Sequence, residues 1–171
     1  AVSHAVNLGL GARPLDLAGH ARALLPDAAA PVTVENDVKA AVRAASRWLP
    51  ETEGTGQDLA LLNVGTGLAA GLILDGVLRR GARGMAGEIG HLVSDPTGPP
   101  CPCGKRGCLE LYASGSGIAC HWSGSAGELF EAAGQADVRA AEVRDLLVSN
   151  LAQAVRILVQ TTDVAEVVLT G

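Results

Sequence analysis

At 171 residues the chain has room for one medium domain or part of a two-domain protein, and with 48% hydrophobic against 18% charged residues it is built to bury a core rather than stay disordered. A formal charge of −5 argues against a generic surface for nucleic acid or an anionic membrane and points to a neutral or polar ligand. The start AVSHAVNLGL lacks the basic segment of a signal peptide, and no apolar run reaches the roughly 18 to 20 residues that span a bilayer, so a soluble, cytoplasmic protein is expected. The sequence opens on Ala1 rather than Met and stops just after the strand-like run EVVLT, which leads us to expect a piece of a longer protein.

In chain order, the segment Ala1 to Leu25 is punctuated by Gly and Pro, with a short helix predicted over Leu15 to Leu25 and stopped by Pro26. The run PVTVE (Pro31 to Glu35) alternates β-branched residues and predicts a strand, after which Asn36 or Asp37 is placed to cap a helix that Pro50 ends. Helical spacing puts Val38, Ala41, Val42, Ala45 and Trp48 or Leu49 on a buried face, with Lys39, Arg43 and Arg47 turned outward. The polar ETEGTGQ then reads as a loop between layers or domains. Leu59 to Val64 and Leu68 to Leu74 are apolar runs on either side of Gly65-Thr66-Gly67, and Asp75-Gly76 is a hairpin signal, so two adjacent antiparallel strands are predicted. From Arg80 to Gly107 the chain is rich in Gly, Pro and Cys and has little periodicity, so an ordered loop here needs something other than a core to hold it. Helices are predicted over Ala126 to Ala133 and from Val138 to about Thr161, the latter with Val143, Leu146, Leu147, Leu151, Val155 and Leu158 on one face. The closing AEVVLTG reads as a buried strand entering a Gly turn.

His91, Cys101, Cys103 and Cys108 fall within that loop, the last three in C-P-C-G-K-R-G-C. One imidazole and three thiolates form a closed tetrahedral set for structural zinc, with no open position for a reacting water. Pro102 fixes the chain between two of the thiolates, while Gly104 and Gly107 let it turn around an ion. A disulfide is the competing reading, disfavoured by the expected cytosolic setting and by the closeness of Cys101 to Cys103. Cys120 and His121 lack further ligands at suitable spacing and are expected to fill space, and no role follows for His4 or His20.

Among the polar groups, Asp37 and Asn36 sit where strand is expected to hand over to helix, a frequent place for ligand-facing side chains. Asp37 could accept a proton from a substrate hydroxyl, or either residue could simply cap the helix. The Gly65-Thr66-Gly67 turn could cradle a phosphate on its amides, although a hairpin needs glycine in any case. Glu88 and Glu110 flank the Cys/His group, so a metal clamp would also fix two carboxylates, and a ligating His91 would have a second ring nitrogen to offer a hydroxyl. Carboxylates, an amide and an imidazole together suit a polyhydroxylated ligand such as a sugar.

These residues resemble the ROK family of bacterial sugar kinases and sugar-responsive repressors. The resemblance rests on V-E-N-D (Val34 to Asp37), L-L-N-V-G-T-G-L-A-A-G (Leu61 to Gly71), G-E-I-G-H (Gly87 to His91) and C-P-C-G-K-R-G-C-L-E (Cys101 to Glu110), in that order and over essentially the whole chain. It implies part of a hexokinase/actin-like (ribonuclease H-like) α/β fold with a zinc-stabilised loop, residues 1–53 belonging to a smaller domain and 54–171 to a larger one. It also implies Asp37 as the base that takes the proton of the sugar 6-hydroxyl, with Asn36, Asp37, Glu88, His91 and Glu110 binding a hexose or N-acetylhexosamine. Gly65, Thr66 and Gly67 are implied as a phosphate motif for ATP with Mg²⁺, and His91, Cys101, Cys103 and Cys108 as zinc ligands. Oligomers are usual in such a family.

The reading is therefore an ATP-dependent hexose kinase of the glucokinase or N-acetylmannosamine kinase type. The alternative is the sensor part of a repressor whose DNA-binding module lies before Ala1, the only route by which nucleic acid becomes a partner. Two departures stand out. A D-x-G-G-T-like first phosphate motif is missing from these residues and the adenosine segment would begin only at Thr170-Gly171, so this stretch alone is expected to be inactive. Lys39 stands where the family more often carries a small or amide residue, which places a cation near Asp37.

Overall fold

A computed structural model describes residues 14–25, 31–49 and 58–171. The chain forms two compact units, Ala1–Asn36 and Asp37–Gly171. In the first, helix α1 (Leu17–Leu24) is capped by Asp16, whose carboxylate accepts from the Gly19 amide at 3.0 Å. The Arg22 guanidinium donates to the Val32 carbonyl at 2.9 Å. The predicted strand over 31–35 does not form. A strand is defined by its ladder, and residues 31–36 find no such partner among the described residues. Pro26, Pro50 and the Glu51–Gln57 loop lie outside the described residues.

The second unit is organised on four strands: β1 (Leu59–Val64), β2 (Leu68–Leu74), β3 (Val77–Leu78) and β4 (Glu166–Thr170), in the order β3-β2-β1-β4. β1 and β2 pair antiparallel from Leu59↔Ile73 to Val64↔Leu68, as the two apolar runs predict. Asp75 and Gly76 both take positive φ, 55° and 69°, the backbone of a tight hairpin turn. β4 pairs parallel with β1.

The first four residues of β1, Leu59 to Leu62, are apolar and buried because the strand is covered on both faces. Ala60 and Leu62 join Leu68, Ala70, Leu109, Ala154 and Leu158 in one core, and Leu59 and Leu61 join Val38, Val42 and Ile73 in another. The second core is roofed by α2 (Asp37–Trp48), which packs across β2 at Gly71, where a Cβ would lie 2.7 Å from Val42 Cγ1 and 2.8 Å from the Val38 carbonyl oxygen. Val42 is fully buried. The helix closes its apolar face with Leu49 rather than Trp48, which is 84% exposed. Lys39 departs from the helical projection: it is buried, while Arg43 and Arg47 face outward as expected.

The other core is floored by the long helix α5 (Val138–Thr162), begun by Asp137, which accepts from the Ala140 amide at 2.8 Å, and ended by Asp163 in the left-handed region. Two shorter helices, α3 (Gly115–His121) and α4 (Ala126–Gly134), meet α5 around Ile118, Leu129, Ala133, Ala140, Val143 and Leu147. α4 opens with a reciprocal capping box between Ser125 and Glu128. α3 had not been predicted, although Ser114 is its N-cap and accepts from the Gly117 amide at 3.1 Å. The closing strand is not buried as predicted. β4 is an edge strand among the described residues, with Leu169 61% exposed. No described helix is long and apolar enough to cross a membrane.

Candidate functional site

The G-E-I-G-H segment owes its glycines to the sheet. β3 is only two residues long and leaves most of the outer edge of β2 open, and Gly87 takes its place there: the Ala70 amide donates to the Gly87 carbonyl at 2.7 Å. Gly87 has φ 89°, and a Cβ on it would lie 1.8 Å from the Ala70 carbonyl oxygen; one on Gly90 would lie 2.1 Å from that of Leu68. A single 3₁₀ turn, Ile89–His91, begins after Glu88 and runs through Gly90. The glycines on either side of Glu88 are thus held on β2 through backbone, whereas residues 81–86 ahead of them make no backbone hydrogen bond to the sheet among the described residues. The half-buried Glu88 carboxylate accepts no hydrogen bond among the described residues and is free to take one from a ligand.

His91 faces the cysteines. Its Nδ1 is 3.9 Å from Cys101 Sγ, Cys103 Sγ is 3.6 Å from Cys108 Sγ, and the four ligand atoms all lie within 4.8 Å of one another. Ligands on one tetrahedral zinc at ordinary bond lengths stand about 3.8 Å apart for two thiolates and about 3.6 Å for a thiolate and an imidazole nitrogen. The donor set and its spacing are compatible with that ion, and the four cysteines are free thiols, so no disulfide competes.

The knuckle is shaped by backbone. Gly104 (φ 90°) turns the chain so that its amide donates to the Cys101 carbonyl at 2.9 Å and the Cys101 amide to that of Lys105 at 2.8 Å. Gly107 (φ 58°) lies so close to Asp95 that a Cβ would sit 1.6 Å from its carbonyl oxygen. Asp95 is itself held by the Thr97 amide and hydroxyl at 2.8 and 2.7 Å, bonds to the ionised form that keep its carboxyl below the usual range. Burial pushes the Cys108 thiol up to about 12, whereas the Lys105 amide beside the exposed Cys103 draws that thiol down. The loop is tied to α5 by Ser94, whose hydroxyl donates to Asn150 Oδ1 at 2.8 Å.

Immediately after Cys108 a second 3₁₀ turn, Leu109–Leu111, sends Glu110 back to the sheet, where its Oε2 accepts from the Leu68 amide at 3.0 Å. A Cβ on Gly67 would lie 2.5 Å from that oxygen, so Glu110 touches the Gly65-Thr66-Gly67 turn. The turn is fastened from the other side by α3, whose Gly115 and Ser116 amides donate to the carbonyls of Gly65 and Thr66 at 2.8 and 3.1 Å. The Thr66 and Gly67 amides donate to no acceptor among the described residues, so two N–H groups remain for an anion. Beside the turn opens a cavity of about 690 Å³ whose lining includes Val64, Gly65, Ser114, Ile118, Phe130 and Gly171, of a size that suits a small-molecule ligand.

Asp37 opens α2 and is exposed, its Oδ1 accepting from the Val38 amide at 2.9 Å at the positive end of the helix. Asn36 closes the first unit and is exposed. Within the second unit the fold therefore brings together Glu110 with the Gly65–Gly67 turn, and His91 with the three cysteines; Glu88 stands one turn ahead of His91, its carbonyl accepting from the His91 amide at 3.3 Å. Cys120 is exposed and His121 stacks on Tyr112 with ring centroids 5.5 Å apart, in keeping with the space-filling role expected for the pair. One participant escaped the sequence reading, Ser114, whose hydroxyl donates to the Glu110 carbonyl at 2.6 Å; Lys39, read there as an outward cation near Asp37, is buried. The run S-G-S-G after the Cys motif is a cap signal that could have revealed Ser114.

This sheet, with helices on both faces and a Cys/His knuckle pinned to its hairpin, is the mixed α/β, actin-like fold of the ROK hexokinases. The ROK family model matches residues 15–171, and the chain belongs to that family. It is 38% identical over 146 residues to N-acetylmannosamine kinase of Escherichia coli, across 82% of this chain and 49% of that protein. Among solved structures, the ROK hexokinase of Thermus thermophilus is 33% identical with a TM-score of 0.73, over 88% of this chain and 52% of that one. A ROK glucokinase of Streptomyces griseus in complex with glucose and AMPPNP is 27% identical with a TM-score of 0.68, over 90% and 55%. A ROK transcriptional regulator homologous to the E. coli MLC protein is also 27% identical, with a TM-score of 0.69 over 86% and 41%. The chain thus spans about half the length of the kinases it matches.

Proposed function

We propose that the protein carrying this chain is an ATP-dependent hexose kinase of the glucokinase or N-acetylmannosamine kinase type, which moves the γ-phosphoryl group of ATP to the 6-hydroxyl of a hexose or N-acetylhexosamine. The observation that carries the reading is the union of three motifs on one hairpin: the phosphate-type turn, Glu110 clasping it, and the G-E-I-G-H segment sewn to the neighbouring edge. Sugar acceptors and phosphate donors are thereby held on a single rigid support, which is what phosphoryl transfer requires of a protein.

In this mechanism Asp37, at the start of α2, takes the proton of the 6-hydroxyl as the oxygen attacks phosphorus. Asn36, Glu88, His91 and Glu110 orient the sugar hydroxyls. Glu88 offers both oxygens, Glu110 the one not used on Leu68, and His91 the ring nitrogen that faces away from the cysteines. The free Thr66 and Gly67 amides receive phosphate oxygens, and the adjoining cavity receives the rest of the nucleotide. Mg²⁺ bound with ATP supplies neutralisation of phosphate charge. His91, Cys101, Cys103 and Cys108 hold a structural zinc that keeps Glu88 and Glu110 in place and takes no part in the transfer. On this reading the protein is cytoplasmic and homo-oligomeric, with residues 1–53 in the smaller and 54–171 in the larger domain.

The test is a coupled ATP-dependent phosphorylation assay on the whole gene product against a panel of hexoses and N-acetylhexosamines. Asp37→Ala should lower turnover by about 10²- to 10⁴-fold while sugar binding persists. Full activity in that variant refutes the assignment of the base. The ROK regulator among the structural neighbours supports a second reading, a sugar-sensing domain beside a DNA-binding module. Sugar binding by calorimetry with no turnover from the whole product decides for it.

A further inference from the structure

The sequence reading turned Lys39 toward solvent, yet it is only 4% exposed and its ammonium donates to the Gly84 carbonyl at 2.9 Å, 45 residues along the chain. Burying an ammonium is unfavourable unless it is hydrogen-bonded, so the contact fixes where this long side chain lies. What it holds is a loop with little else to hold it. Between Arg80 and Gly87 the chain takes three left-handed glycines, at φ 77° (Gly81), 77° (Gly84) and 89° (Gly87). Its backbone bonds short of Gly87 are internal, Gly84 to Gly81 and Ala86 to Arg80, or run to the next residue group, Glu88 to Met85. Among the described residues, Lys39 is the only side chain from another element that hydrogen-bonds residues 81–86. Arg83 and Gly84 are exposed, so packing does not fix the loop tip either.

The two ends of this link are the two halves of the proposed site. Lys39 stands in the first turn of α2, two residues after Asp37, and the loop runs into Glu88. Positions two apart do not share a helix face, so the Lys39 side chain leaves Asp37 to one side and reaches the loop instead. We infer that Lys39 is a positioning residue: by fastening the Gly84 carbonyl to the start of α2 it holds the Glu88 loop in register with Asp37, and so sets the affinity for the sugar. The tether itself is independent of the proposed function; its effect on the sugar rests on that reading.

The test separates the two. In the zinc-loaded chain, trypsin cutting after Arg80 and Arg83, followed by mass spectrometry, reports opening of the loop without any activity. Lys39→Met keeps the length and apolar stem and removes the donor, and should raise the cleavage rate at Arg83 by about tenfold or more. Lys39→Arg, which keeps a charged donor, should restore most of the protection. Equal cleavage in wild type and Lys39→Met overturns the tether. If Lys39→Met does not fold, Lys39→Leu, which also lacks a donor, replaces it under the same criterion.

In the whole gene product, Lys39→Met should raise the sugar KM by about tenfold and leave the ATP KM unchanged, again with recovery in Lys39→Arg, a split that general destabilisation does not produce. An open loop with an unaltered sugar KM overturns the positioning role while leaving the tether standing. If the wild-type product does not turn over, the same comparison is made on sugar affinity by calorimetry, where an unchanged affinity has the same meaning. Absence of any sugar binding by wild type overturns the functional reading and with it the positioning role, and the proteolysis still decides on the tether.

Discussion

Two glycines of the same loop make opposite demands on their surroundings, and comparing them measures how firmly the G-E-I-G-H segment is sewn to the sheet. Gly84 and Gly87 both take left-handed φ, 77° and 89°, so alanine at either is penalised by about 1–2 kcal/mol for the backbone and recovers about 0.4–1 kcal/mol from a less flexible unfolded chain. For Gly84 nothing lies within 4 Å of an added Cβ, and the net cost of Gly84→Ala should be no more than about 1.6 kcal/mol. For Gly87 the same Cβ meets the Ala70 carbonyl oxygen at 1.8 Å and its carbon at 2.7 Å. Both are backbone atoms of a central strand pair and neither can rotate away. The segment must move off β2, breaking the 2.7 Å bond from the Ala70 amide and leaving a donor short of its partner, a further cost of about 1–3 kcal/mol. Gly87→Ala should therefore be less stable than Gly84→Ala by about 2 kcal/mol, read as the difference in urea unfolding free energies at equal m-value. Because the displaced segment carries Glu88 and His91, sugar binding should weaken in Gly87→Ala alone. Equal stabilities for the two variants, within about 0.5 kcal/mol, would refute the claim that backbone contact with β2 positions this segment.

Zinc uptake by the metal-free chain should release protons, since burial holds the Cys108 thiol up at about 12 and the ion binds it as thiolate. Calorimetric titrations in two buffers of different ionisation enthalpy should give different heats, and affinity should fall as pH falls; identical heats count against thiolate ligation by Cys108. Cys103→Ser should weaken zinc binding and speed proteolysis between Arg80 and Gly107, with a normal proteolytic pattern telling against a loop organised by metal. The Glu128 carboxyl is drawn below its ordinary value by the amide and hydroxyl of Ser125, so folded α4 binds its proton less tightly than the unfolded chain does. Its contribution is present above the unfolded carboxyl value of about 4.3 and is lost as pH falls through the lower folded value. Glu128→Gln should accordingly flatten the acid limb of the thermal stability profile, and an unchanged limb would show that the box contributes nothing through charge.

What the sequence determined was what neighbouring residues decide among themselves. The β1–turn–β2 hairpin was legible because two apolar runs flank three residues that can turn. The Cys/His knuckle was legible because four ligands fall within 18 positions and the glycines between them allow the chain to close. The starts of α2 and α5 were legible from a cap or break followed by 3.6-residue spacing. Family membership followed from the same short motifs.

Tertiary structure decided where each of these faces. PVTVE has the pattern of a strand, but only a neighbour can supply the ladder, and β4 is apolar yet lies at an edge among the described residues because burial belongs to the sheet order and not to the segment. Lys39 projects from the polar side of its helix, but a glycine-rich loop 45 residues away lies over it and converts an outward cation into a buried one. Glu110 read as a ligand carboxylate, and the fold gave one of its oxygens to the Leu68 amide. In each case the deciding partner is distant in sequence. Periodicity reports which residues can share a face, whereas burial and hydrogen bonding depend on what the rest of the chain brings to that face.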